Sequence, residues 1–187
     1  RTERIKPGAI VLDCGANYGT FTRRALLRGA TKVVAIEINP ELADAMRRTF
    51  AQEISEGKVV VYNKGVWDKD AELELRGDSV VIARQGPPVR VPVTTIDHIV
   101  TELQLASVDF IKMDIEGAEK NVLRGGQATL AKFVPTMALS SEHLPDDVEK
   151  IPALVRDLVP VRYRVDWGYC YYDRPFHAGP NVIQFSK

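Results

Sequence analysis

The stretch "VLDCGANYGTF", residues 11–21, decides the fold. Apolar residues run into Asp13, and Gly15, Ala16 and Gly19 then leave a backbone almost free of side chains. Glycine lacks the Cβ that would keep a ligand away from the main chain. A helix beginning near Asn17 offers unpaired N–H groups and the positive end of its dipole. A strand, a bare loop and a helix in that order suit a cofactor that carries a nucleoside.

A dinucleotide would call for Gly-x-Gly-x-x-Gly, whose middle glycine admits a pyrophosphate. Here Asn17 stands midway between Gly15 and Gly19. Asp13 would repel phosphate at that turn but could accept a hydrogen bond from an ammonium group. The stretch therefore favours S-adenosylmethionine. Glu37 follows 24 residues after Asp13, at the end of a second apolar run, and its two oxygens suit the hydroxyls of a ribose. Ile38, with Val66 or Trp67 further on, could enclose adenine.

Outward from this point the chain alternates strands and helices. Short apolar runs at 9–13, 32–38, 58–63, 108–114 and 135–143 read as five strands. Helices are expected over 17–28, from Pro40 to Phe50, near 96–104, over 118–131 with a break at Gly125-Gly126, and over 146–158. Phe21, Ala25 and Leu26 give the first helix its inner face; Leu42, Ala45, Met46, Thr49 and Phe50 serve the second. Segments 71–76, 79–84 and 89–95 alternate like an inserted antiparallel ribbon. "RYRVDW" and "NVIQFSK" make a terminal hairpin around an aromatic loop at 167–180. The expected fold is α/β: a Rossmann-like, mostly parallel sheet with an antiparallel C-terminal hairpin and helices on both faces. Its ligand belongs at the carboxyl ends of the strands.

The 187 residues fit a single domain. Lys and Arg number 25, as do Asp and Glu, so the net charge of 0 gives no general pull toward nucleic acid or anionic membrane. No stretch is long and apolar enough to span a bilayer. Cys14 and Cys170 form no metal or redox spacing. A cytoplasmic protein is the simpler reading, and the opening "RTERIKPG" suggests that an N-terminal portion is missing.

"VDFIKMDIEGAE", residues 108–119, carries the second message. Alternation puts Phe110, Lys112 and Asp114 on one face of its strand, and Ile111, Met113 and Ile115 on the other. Lys112 in an apolar strand requires a partner, which Asp13, Asp114 or Glu142 could supply. It either organises the strand ends or handles substrate. Asp114 reaches the carboxyl edge, followed by Glu116, and strand five ends in Glu142-His143. Methyl transfer to an alcohol needs positioning and removal of a proton. His143 has the most suitable ordinary pKa, with Asp114 next. Carboxylates at Asp114, Glu116 and Glu142, or His143 in place of the last, suit a divalent ion, but no tight ligand spacing demands one and no metal is assigned.

"KPG" with "LDCGANYGTFT", "VVAIEINP", "VPVTTIDHIV" and above all "VDFIKMDIEGAEKNVLRGG" resemble the FkbM-like family of class I S-adenosylmethionine-dependent methyltransferases. The resemblance runs from Pro7 to about His143. It implies a seven-stranded sheet, S-adenosylmethionine as cofactor, and O-methylation of a hydroxyl on a sugar, glycan or secondary metabolite. It implies cofactor contacts from Asp13, Gly15, Asn17, Gly19 and Glu37, with Thr20 and Phe21 in the matching "GTFT", and a reaction site at Asp114 and Glu116. Trp167, Tyr169, Tyr171, Tyr172 and Phe176 could stack on the acceptor or pack the hairpin. The ribbon is a second wall or the edge of a homodimer. RNA or protein methylation and a non-catalytic cofactor-binding domain are the rival functions.

Overall fold

Strand β1 (Ile10–Cys14) follows the turn at Pro7-Gly8 and leads through the glycine loop to α1 (Thr20–Leu27). The chain continues with β2 (Lys32–Ile36), α2 (Pro40–Thr49), α3 (Ala51–Ser55), β3 (Val59–Tyr62), β4 (Gly65–Val66), β5 (Ala71–Leu75) and β6 (Val89–Thr94). Next come α4 (Ile96–Glu102), β7 (Phe110–Met113), α5 (Glu119–Gly125), α6 (Gln127–Phe133), β8 (Thr136–Ser140) and α7 (Asp147–Leu158). The terminal hairpin is β9 (Arg164–Tyr171) and β10 (Ala178–Ser186). This computed structural model describes residues 5–76, 87–171 and 178–187, without the side chains of 169–171 and 178–180.

Seven strands form one sheet in the order β3-β2-β1-β7-β8-β10-β9. All neighbours are parallel except β10, which runs antiparallel to both β8 and β9. Buried residues on both sides explain why the central strands read as unbroken apolar runs. Leu12, Cys14, Ile36, Ile111, Met113, Leu139 and Phe185 face the principal core with α4 to α7. Val11, Val33, Phe110 and Ala138 meet Ala25 of α1, while Ala35 and Val59 meet Met46 and Phe50.

Local chemistry sets the helix limits. Pro40 opens α2, and the Asn39 side chain caps it by accepting from the amides of Glu41 and Leu42. The α2 face differs from the sequence reading: Ala43, Met46 and Phe50 are buried, whereas Thr49 is exposed. Gly126 separates α5 from α6 as the glycine pair implied. The ribbon is a separate small sheet in which β6 pairs antiparallel with β5 and parallel with the short β4. Its expected middle strand, 79–84, lies outside the described residues. The aromatic loop is shorter than expected, because 167–171 and 178–180 belong to strands. Trp167 lies half-exposed on edge strand β9. Tyr172 and Phe176 lie outside the described residues.

Gly125 exposes how the ribbon region meets the main domain. A Cβ there would stand 2.2 Å from the Trp67 carbonyl oxygen. Alanine favours a helix by about 1 kcal/mol over glycine, but the contact is with backbone and cannot be relieved by a rotamer change. Gly125→Ala is therefore expected to lower stability by about 1–3 kcal/mol, the usual cost of overpacking. Urea denaturation measures it, and an unchanged or higher midpoint would show that the Trp67 segment yields freely.

Candidate active site

Parallel pairing brings Cys14, Ile36 and Met113 to one edge in register, and Ser140 lies level with Val182 of β10 beside them. The loops after β1, β2, β7 and β8 therefore share the carboxyl edge. The amides of Gly15 and Ala16 both donate to the Ile36 carbonyl oxygen at 3.0 Å. Glu37, 6% exposed, fastens the same loop from β2: Oε2 accepts from the Asn17 amide at 2.7 Å and Oε1 from the Asn39 amide at 2.8 Å. Each oxygen retains a second lone pair for a hydroxyl donor. The Asn63 side chain, unnoticed in the sequence, donates to the Glu37 carbonyl oxygen at 2.8 Å.

The glycines have a physical cause in addition to the ligand approach expected. A Cβ on Gly15 would come 2.0 Å from the Asp114 carbonyl oxygen, and one on Gly19 would come 2.4 Å from the Phe50 ring. Both residues also have positive φ, 75° and 80°. Close packing of the chain on itself, with no ligand involved, already demands glycine at both. Gly19 caps α1 without a side-chain hydrogen bond. Thr20 opens that helix as an exposed residue, and Phe21 is half-buried with its ring stacked 5.9 Å from Phe110. Ile38 packs where a Gly65 Cβ would stand, and Val66 belongs to the principal core instead of an open adenine face.

Asp13 also departs from its expected place. It has no exposed surface and turns toward α1, where Oδ2 accepts from the Thr22 hydroxyl at 2.7 Å. Its Oδ1 makes no hydrogen bond but lies 3.5 Å from the Lys112 ammonium. Burial pushes the Asp13 carboxyl upward, while Lys112 and Thr22 hold it down. Asp13 thus supports the loop from behind and does not itself line the crevice. Lys112 shares its face with Phe110 as the alternation required, and donates to the Gly15 carbonyl oxygen at 2.7 Å. Of the partners considered, Asp13 takes the charge contact, and Glu142 is exposed.

Asp114 continues this arrangement. Its amide donates to the Cys14 carbonyl oxygen at 3.1 Å, and its half-exposed carboxylate meets His143 Nε2 at 3.1 Å through Oδ1. Glu116 Oε2 lies 3.6 Å from His143 Nδ1, and Glu119 Oε1 lies 3.7 Å from Nε2. The hydrogen bond with Asp114 raises the imidazole to about 9, burial opposes it, and Glu119 and Glu116 add to the rise. The same hydrogen bond lowers the Asp114 carboxyl. Near neutrality His143 in this setting already holds its proton. Its ordinary pKa, the ground for choosing it as the base, does not apply here.

Glu119 is the acid that the sequence reading passed over, although it fell within the quoted motif. It is fully buried, and Oε1 accepts from the Ile115 amide at 3.0 Å. Glu119, Val122 and Leu123 share the inner face of α5 at helical spacing, a visible sign that this glutamate points inward. A cavity of about 540 Å³ opens at the opposite, amino edge between Lys6, Asp109, Phe133 and Arg164. None of the groups above reaches it.

The fold and this edge define a class I methyltransferase scaffold, a mostly parallel sheet with the loops after β1, β2, β7 and β8 gathered at one edge. Residues 13–169 match the methyltransferase FkbM domain, and the chain belongs to that family. It is 32% identical over 149 residues to the 2-O-methyltransferase NoeI of Sinorhizobium fredii, covering 68% of this chain and 61% of that protein. A crystal structure of methyltransferase FkbM from Methylobacillus flagellatus KT superposes with a TM-score of 0.76 at 20% identity, over 98% of this chain and 45% of that one. Fibrillarin from Aeropyrum pernix, crystallised with natively bound S-adenosyl-L-methionine, gives 0.56 at 11% identity, covering 97% and 68%. The chain thus spans less than two thirds of NoeI and under half of the Methylobacillus protein. Among the described residues, no helix is long and apolar enough to cross a membrane.

Lys112→Met should leave the buried Asp13 without its cation and release the Gly15 carbonyl. Breaking one side of such a pair costs about 3 kcal/mol. Adding Asp13→Asn should recover part of that loss, and a double-mutant cycle by urea denaturation reads the coupling. Additive effects would show that the two groups do not interact energetically.

Proposed function

We propose that this domain transfers a methyl group from S-adenosylmethionine to a hydroxyl oxygen of a sugar or glycan. The adjacency of the glycine loop to the Asp114–His143 pair carries this reading. The glycine loop packs so closely on the Asp114 carbonyl that a Cβ on Gly15 would stand 2.0 Å from its oxygen. A sulfonium methyl held over that loop would face the acids after β7 and the imidazole after β8.

On this reading Glu37 receives the ribose hydroxyls through its remaining lone pairs. Asn17 and the start of α1 at Thr20 border the methionine part. Asp13 and Lys112 are positioning residues that fix the loop. The acceptor oxygen attacks the methyl carbon in line as the carbon–sulfur electron pair returns to sulfur. An O–CH₃ bond forms, and adenosylhomocysteine leaves. The oxygen becomes strongly acidic as it is alkylated, so a carboxylate with a lowered pKa can still take its proton. Asp114 fills that role, with His143 and Glu116 orienting it. The relative named for 2-O-methylation supports an oxygen acceptor, and a net charge of 0 offers RNA no basic track.

Incubation with S-adenosylmethionine and a panel of sugars and oligosaccharides, with adenosylhomocysteine release as the readout, tests the activity directly. Release with RNA or protein but with no carbohydrate would sink the acceptor class. Glu37→Ala should weaken adenosylhomocysteine binding about 10- to 100-fold, the effect of losing hydrogen bonds to a charged acceptor. Calorimetry with the 2′-deoxy analogue separates the ribose contact from loop damage: the variant should no longer distinguish the two ligands. Asp114→Asn should reduce kcat about 100-fold or more with cofactor affinity nearly unchanged, as expected for loss of a general base. Full turnover in that variant would remove the carboxylate from the proton transfer.

A further inference from the structure

The geometry points to a divalent-cation site formed by Asp114, Glu116 and His143, with the buried Glu119 beside the imidazole. This inference rests on the methyltransferase reading only for what the cation does there, since the donor set stands independently. One ligand atom from each of Asp114, Glu116 and His143 lies within 4.8 Å of the others. The closest pair, Asp114 Oδ1 and His143 Nε2, is 3.1 Å apart. Ligands with bonds of about 2.1 Å on an octahedral ion stand roughly 3 Å apart when adjacent, so the cluster needs little movement to close around one.

Glu119 provides a separate observation. Its side chain is entirely buried and Oε1 reaches to 3.7 Å from His143 Nε2, yet Oε2 has no hydrogen-bond partner among the described residues. A buried carboxylate oxygen without a donor is costly to maintain. Asp114 and Glu116 flank one imidazole here, with Glu119 beside it, its carboxyl pushed upward by burial. A cation there takes the place of the imidazole proton, because a ligating histidine is neutral, and offsets the carboxylates that face it. Two or three carboxylates with one imidazole suit Mn²⁺, whose chemistry accepts both donor types, better than Mg²⁺ or Ca²⁺, which prefer oxygen alone.

Such an ion would lie on the acceptor side of the crevice. It would bind the acceptor hydroxyl and lower its pKa, while Asp114 keeps a second oxygen for the departing proton. The donors come from positions 114, 116 and 143, brought together by the parallel pairing of β7 with β8. No linear ligand spacing could have announced them.

Titration of the intact domain with MnCl₂ alone, followed by electron paramagnetic resonance of free Mn²⁺, should show one saturable site. Glu116→Gln, on the part-exposed loop, should weaken it at least 10-fold, and Asp114→Asn likewise. Glu119→Gln should do the same if it folds, with circular dichroism as the check. MgCl₂ should compete only weakly. Absence of saturable binding, or equal binding by Asp114→Asn and Glu116→Gln, would overturn the site. Adenosylhomocysteine calorimetry on the same samples separates the two failures. Cofactor binding without Mn²⁺ binding defeats the ion site alone. Mn²⁺ binding without cofactor binding upholds the ion site and defeats the methyltransferase reading.

Discussion

The carboxyl edge depends on one charged side chain in a strand that is otherwise apolar. Lys112 leaves β7, passes the buried Asp13, and donates to the Gly15 carbonyl oxygen at 2.7 Å. A lysine at such a position is tolerated only with partners, and here the partners are the adjoining strand and its loop. Asp114, two residues on, bonds the same segment through its amide. The glycine loop therefore inherits its position from β7. Any shift of that strand end displaces the loop and the Asp114 carboxylate together.

Glu37 secures the loop from the other side. Its two oxygens each take a backbone amide, one from the glycine loop and one from the turn into α2. Backbone donors at such a turn need acceptors, and the carboxylate meets that need before any ligand arrives. Glu37, Asp114, Glu116 and Glu142 gather at this edge near Lys112 and His143, an acidic grouping in a chain with no net charge. That local imbalance suits a cofactor bearing a sulfonium and an ammonium group, and disfavours a pyrophosphate.

Much of this was legible in the linear chain, because both strand burial and helix capping leave periodic marks. The five parallel strands, Pro40 at the start of α2, the break at Gly126 and the shared face of Phe110 and Lys112 all follow from spacing. What escaped was three-dimensional. Thr22 looked like an ordinary helical residue, yet it holds Asp13. Asp13 ended a strand, which suggested an open position; the lie of α1 across that face encloses it. His143 carries an ordinary pKa in any sequence, and only Asp114, Glu116 and Glu119 around it change that value. Val66 follows β3 closely, but the separate ribbon sheet directs it into the core.

The glycines make the most instructive case. The sequence reading gave them a role in admitting a ligand, and the packing of the chain supplies a further cause of its own. Gly15 must clear the Asp114 carbonyl and Gly19 the Phe50 ring. A chain with this fold would need both residues even if it bound nothing. Glycine spacing therefore speaks for the scaffold, and the case for chemistry rests on other groups. No comparable packing demand accounts for a half-exposed Asp114 carboxylate or a buried Glu119 oxygen that has no donor among the described residues. Groups kept at a cost to the fold, and not those the fold requires, mark where a substrate or ion is to be expected.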